Sequence, residues 1–155
     1  MTWKTHLLLG AMAGYCADPT WKGIAVGGAM ALLPDVDQAK SKVGSIVRPL
    51  SAAVQKGIGH RTLTHSWVML LLPALLFGDT PLAQAALYGL MSHLLGDALV
   101  GRVQFLWPIK QGWVGIKVSK AMYRTVDRLV FYAAICYLLY WCCNGGAEQL
   151  IESFI

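Results

Sequence analysis

Five stretches free of Asp, Glu, Lys and Arg, residues 5 to 17, 23 to 34, 62 to 78, 80 to 96 and 129 to 147, dominate this chain and limit what it can fold into. Uncharged apolar runs of such length must bury their side chains in protein or in lipid. Asp18-Pro19-Thr20 separates the first run from the second and Gly78-Asp79-Thr80-Pro81 the third from the fourth; both combine a turn with a helix start. The expected fold is therefore all-α, with helices over about 4 to 17, 21 to 33, 63 to 78, 82 to 99 and 125 to 143. These make two helical hairpins and a C-terminal helix, one domain over 1 to 155.

Only 14% of the residues are charged, against about 25% in ordinary soluble domains, which points to a membrane-embedded bundle. Of the five runs only 129 to 147 approaches the ~20 residues needed to cross a bilayer as a helix. At ~1.5 Å per residue the first two would extend only about 20 Å, half-crossing or forming the core of a compact helical enzyme. Met1 to Lys4 lacks the pattern of a removable signal peptide, so membrane entry is expected through the chain's own helices. Cys16, Cys136, Cys142 and Cys143 show no zinc or disulfide spacing and are expected to be buried free thiols. The net charge of +5 is spread over two connectors, 34 to 62 and 100 to 124, without a nucleic-acid-binding module, so no nucleic-acid partner is expected.

The hairpin plan decides where the polar residues meet. His6 opens the first helix and Asp35 and Asp37 follow the second, so a turn at 18 to 20 returns them to one end. His65 opens the third helix and His93 and Asp97 close the fourth, so the turn at 78 to 81 does the same. Asp127 opens the fifth helix at that end. Twelve of the thirteen Lys and Arg residues lie there too, leaving Lys22 at the other end with Asp18, Asp79, Glu148 and Glu152. By the positive-inside rule the ligand layer faces the cytoplasm, although basic loops can also serve an anionic substrate.

His93 and Asp97, four apart on a helix, project from one face and suit zinc or manganese; a histidine paired to a carboxylate without metal fits as well. Asp35-Val36-Asp37, in an extended turn after Pro34, would send both carboxylates to one side, where one can bridge two ions. A lone acidic pair in a loop is ordinarily just solvated, and the histidines tip this one toward ligation. His60 and His65 bracket Arg61, Thr62 and Thr64 at a helix start, where a guanidinium and free amides attract a phosphate oxygen. Arg61 reads otherwise as a topological anchor, His6 as an interfacial polar residue and Asp127 as a helix-start residue. Asp127, Thr64 and Ser92 stand as partners behind the ligands. The aromatics, Trp67, Trp107, Trp113, Tyr132, Tyr137, Tyr140 and Trp141, read as an interfacial belt.

The ordered set of His6, Leu33-Pro34-Asp35-Val36-Asp37, His60-Arg61-Thr62-Leu63-Thr64-His65-Ser66, Ser92-His93 with Asp97, and Trp107-Pro108 resembles the YdjM-type family over about 6 to 130. That family is described as LexA-regulated, inner-membrane-associated candidate metal-dependent hydrolases of bacteria and archaea. The resemblance implies metal-dependent hydrolysis at the inner membrane, carried onto His6, Asp35, Asp37, His60, His65, His93 and Asp97. Asp127 stands where members often carry a glutamate. LexA control concerns the gene and implies no DNA binding.

The expectation is a multi-pass inner-membrane hydrolase with two divalent ions, zinc or manganese, since seven potential ligands exceed the four of one tetrahedral zinc. The expected partners are membrane lipid and a phosphoester substrate, lipid-linked by preference. Arg61 would neutralise developing charge, and Asp37 or Asp97 would orient the water. The rivals are a divalent-metal carrier or sensor without hydrolysis, and a structural or regulatory membrane protein with a vestigial site. A carrier would place its polar residues along a route near the midplane rather than at one end.

Overall fold

The computed structural model describes residues 1–37, 44–45, 62–110 and 112–154. The fold is all-α. Helix α1 spans Trp3–Ala17 and α2 Trp21–Leu32, continued by a 3-10 turn over Leu33–Asp37. Two further 3-10 segments, Leu63–His65 and Trp67–Leu71, lead into the short α3, Leu72–Phe77. Helix α4 spans Pro81–Val100 and α5 Lys120–Trp141; a π turn over Cys142–Gly146 joins α5 to α6, Ala147–Glu152.

Both expected turns have the chemistry that their residues dictate. Thr20 accepts a hydrogen bond from the Gly23 amide and Thr80 one from the Ala83 amide, each at 3.3 Å. Each satisfies one of the amide donors that a helix start leaves open. Pro81 sits in the first turn of α4, where a missing N–H costs nothing.

The third helix departs from expectation. The run 63 to 78 does not form one helix, because Ser66 is extended and Pro73 cannot donate within a helix interior, so the α-helix starts only at Leu72 with the proline in its first turn. The fifth helix starts five residues before the expected 125, capped by Ser119, whose hydroxyl accepts from the Met122 amide at 3.2 Å. Between α4 and α5, Val103 and Val114 form an antiparallel bridge, and the Ile116 amide bonds the Ala98 carbonyl at 2.8 Å, folding this connector back on the end of α4.

Helices α1, α2 and α4 pack against each other through glycine. A Cβ on Gly27 would lie 2.6 Å from the Gly14 Cα and would strike the Gly10 carbonyl oxygen, while one on Gly89 would lie 2.9 Å from the Gly27 Cα. Gly10-x3-Gly14 and Gly23-x3-Gly27 are the small-residue spacings by which helices approach closely in lipid. Met30, Ala86 and Leu90 form the buried core beside this crossing, with Met69, Leu70, Leu72 and Phe77 laid over it.

Helix α5 is different in kind. The segment Lys120–Glu152, which is α5 with the π turn and α6, holds a window long and apolar enough to cross a membrane, and only 11% of that window is buried inside the protein. Leu129, Tyr132, Leu139 and Tyr140 all point outward. The four cysteines are free and exposed, not buried, because the protein itself covers so little of α5 and of the outer face of α1.

Candidate functional site

The glycine crossing sets the spacing of a polar cluster in an apolar interior. His6 comes from the first turn of α1 and Asp35 from the 3-10 turn after α2. His65 comes from the 3-10 turn before α3, and His93 and Asp97 from adjacent turns of α4. The three histidines are completely buried and Asp97 is 2% exposed. Two groups of three, His6 with Asp35 and His93, and His65 with His93 and Asp97, each bring one ligand atom per residue within 4.8 Å of the others. Four isolated buried polar groups would each need a partner of their own; gathered together, they serve one another.

The hydrogen bonds fix much of the ring chemistry. The Ala31 carbonyl can only accept, so Nδ1 of His93, 2.6 Å away, carries the proton and Nε2 presents its lone pair. That Nε2 stands 3.2 Å from Nε2 of His65, which is itself 3.6 Å from Asp97 Oδ2. Thr64 Oγ1 lies 3.0 Å from His65 Nδ1. His6 Nε2 lies 3.1 Å from Asp97 Oδ1, and its ring stacks on that of His93 with centroids 3.8 Å apart.

Two observations bear on whether a divalent cation fits here. Among the described residues His6 Nδ1 is buried with no hydrogen-bond partner, in a cluster of nitrogen and carboxylate donors. The Met1 ammonium contacts Asp97 Oδ1, so a positive charge already rests against the central carboxylate. Burial pushes the Asp35 carboxyl above its ordinary value and the nearby Asp97 charge adds to this, while His6 and His65 oppose it. The donor set fits zinc or manganese. The backing of His93 by a carbonyl and of His65 by a hydroxyl is the outer support that metal-ligating histidines ordinarily have.

Gly96 also lies at the site, between two of the clustered residues. A Cβ there would press on the Met1 Sδ at 3.2 Å and lie in van der Waals contact with the His6 ring, 3.4 Å from Cε1. The sequence signal was available: a glycine between His93 and Asp97 on a helix otherwise rich in leucine.

His60 and Arg61 fall outside the described residues, and so does the Asp37 side chain. Asp35-Val36-Asp37 is a 3-10 turn rather than extended, so residues two apart no longer share a side. Ser92 bonds the Gly89 carbonyl of its own helix at 2.7 Å.

Asp127 lies two turns inside α5 and is buried. Its Oδ1 accepts from the Thr2 amide at 2.7 Å and from the Thr5 hydroxyl at 3.0 Å, so α5 caps α1. This holds the turn that carries His6. Asp127→Ala is expected to destabilise the protein by about 1–3 kcal/mol, the range of a lost cap with a buried donor stranded. Thermal unfolding in detergent measures it; an unchanged melting temperature would remove Asp127 from this role.

The family model described as YdjM inner membrane protein matches residues 1–154 of the chain. The chain is 34% identical over 119 residues to the Bacillus subtilis protein YvsG, an alignment covering 70% of this chain and 74% of that one. It is 33% identical over 89 residues to the inner membrane protein YdjM of Escherichia coli, and equally to that of Shigella flexneri, covering 51% of this chain and 45% of each relative. The match thus spans under half the length of those two proteins. No solved structure matches significantly.

Proposed function

Because this chain belongs to the YdjM inner membrane protein family and its buried histidines and carboxylates gather in one cluster, we propose that it is a membrane-bound metal-dependent hydrolase of phosphoesters. The observation that carries this reading is the pair of overlapping three-residue groups sharing His93, with His6 Nδ1 beside them unpartnered among the described residues.

His6, Asp35, His65, His93 and Asp97 would hold one or two ions, zinc or manganese. A divalent ion supplies polarisation of a phosphoryl oxygen and a water made acidic enough to attack at neutral pH. The chain's own groups do the rest. The Ala31 carbonyl keeps the His93 proton on Nδ1, so that Nε2 stays a donor. Asp97, central to both His6 and His65, is suited to orient the attacking water. In the hydrolysis the water oxygen bonds phosphorus, the ester P–O bond breaks, and the departing alkoxide takes up a proton. His60 and Arg61 precede the His65 turn in sequence, and the Arg61 fork matches paired phosphate oxygens.

Membership of an inner-membrane family and an α5 with outward apolar faces favour a lipid-linked substrate. The bias of basic residues favours a cytoplasmic site and a multi-pass topology.

The test is hydrolysis of phosphatidic acid, lipid diphosphates and soluble phosphoesters by purified protein with its metal content measured. Chelation should abolish turnover, and zinc or manganese should restore it. Arg61→Lys should keep the metal while losing on the order of 10²-fold in turnover, as removal of one preorganised donor does. Metal-free protein with no phosphoesterase activity on adding either ion would overturn the reading.

A further inference from the structure

A second concavity lies away from the histidine cluster. It has a volume of about 710 Å³, in the range of small-molecule sites, and runs between α1 and the α5–α6 corner. Leu8, Ala11 and Tyr15 line it from α1, Leu138 and Trp141 from α5, and Leu150 from α6. Leu8, Ala11 and Tyr15 follow the helical repeat, so they form one stripe on the face of α1 turned toward α5. The far end is closed: the π turn with Gly145 at φ 86° folds α6 back, Tyr15 Oη donates to Gln149 Oε1 at 3.4 Å, and the Trp21 and Phe154 rings stack.

We infer that this groove seats one acyl chain of a membrane phospholipid. Its wall is the helix whose apolar window is left unburied by the protein, so the groove opens onto the layer that α5 crosses. From Leu8 to Cys16 along α1 it extends roughly 12 Å at the helical rise, within the ~15 Å depth of one hydrocarbon leaflet. An apolar occupant suits that lining, which is almost wholly aliphatic, aromatic and sulfur-bearing.

The open end lies at the Leu8 level, about 3 Å along α1 from His6. A chain in the groove would therefore bring its headgroup to the layer of the histidine cluster. The same end carries Lys120, Arg124 and Arg128 of α5, cations suited to a lipid phosphate. That last link, lipid as substrate, rests on the hydrolase reading; the groove and its acyl chain do not.

The test is native mass spectrometry of delipidated protein titrated with phosphatidylglycerol in detergent. One lipid per chain is expected. Ala11→Phe and Leu150→Trp, each filling the groove, should weaken that adduct on the order of tenfold or more, since losing two buried methylenes already weakens binding about tenfold. Leu129→Phe, on the outward face of α5, should leave it unchanged. His93→Ala should also retain the adduct, so the groove stands even if no phosphoester is cleaved. Circular dichroism checks folding, and Leu150→Trp carries the test if Ala11→Phe does not fold. The inference fails if no 1:1 adduct forms, if both filled variants bind like the parent, or if a dimer that the filled variants abolish replaces the lipid.

Discussion

With zinc or manganese held as proposed, His93→Ala is expected to remove most of the ion while leaving the protein folded. His93 alone belongs to both three-residue groups, so its loss reduces each to two donors. Groups that merely support a metal ligand already account for about 10–100-fold in affinity, and removal of the ligand itself should exceed that range. The fold should survive because the α4 core beside it rests on Ala86 and Leu90 and the glycine crossing, not on the imidazole. Ser92→Ala provides the contrast, since that hydroxyl serves only a carbonyl of its own helix, and metal should be retained. Elemental analysis of both variants, with circular dichroism as the folding check, decides the matter. A folded His93→Ala protein with parental metal content would remove the cluster from consideration as a metal centre.

The gathering of His6, Asp35, His65, His93 and Asp97 was legible because it depends on coarse features: two turns marked by proline, aspartate and threonine, and apolar runs of nearly equal length on either side. Antiparallel hairpins return their ends to one level whatever the detail of the packing. Features that depend on a single backbone choice were less legible. The run 62 to 78 is as apolar as its neighbours, yet Ser66 and Pro73 break it into 3-10 turns and a short helix, and this break turns His65 inward. Asp127 looked like a helix-start residue because charge thins out after it. The helix in fact begins at Lys120, capped by Ser119, and the carboxylate serves a helix start more than 120 residues away in the chain, a contact no local pattern encodes. The cysteines show the limit of composition: apolar surroundings in sequence mean burial only where protein covers the helix, and α5 is left for lipid.

The glycines were the largest omission, and they carry the second large effect. Gly27→Val is expected to unfold the bundle or destabilise it by more than about 3 kcal/mol, above the usual range for overpacking. The reason is geometric. Overpacking is ordinarily relieved by a neighbouring side chain changing rotamer, whereas the atoms facing Gly27 are the Gly14 Cα and the Gly10 carbonyl, and its own backbone is the wall against which Gly89 packs. Backbone can yield only if α1, α2 and α4 move apart. Those three helices carry or directly precede His6, Asp35, His93 and Asp97, so separation of about an ångström would loosen the site together with the fold. Stability measured by denaturant in detergent and metal content should therefore fall together in Gly27→Val, with Gly27→Ala intermediate. Ala29→Val, on the exposed face of the same helix, should cost only the β-branched helix penalty of roughly 0.5 kcal/mol. If Gly27→Val melts like Ala29→Val and keeps its metal, the close crossing is not what sets the spacing of the cluster.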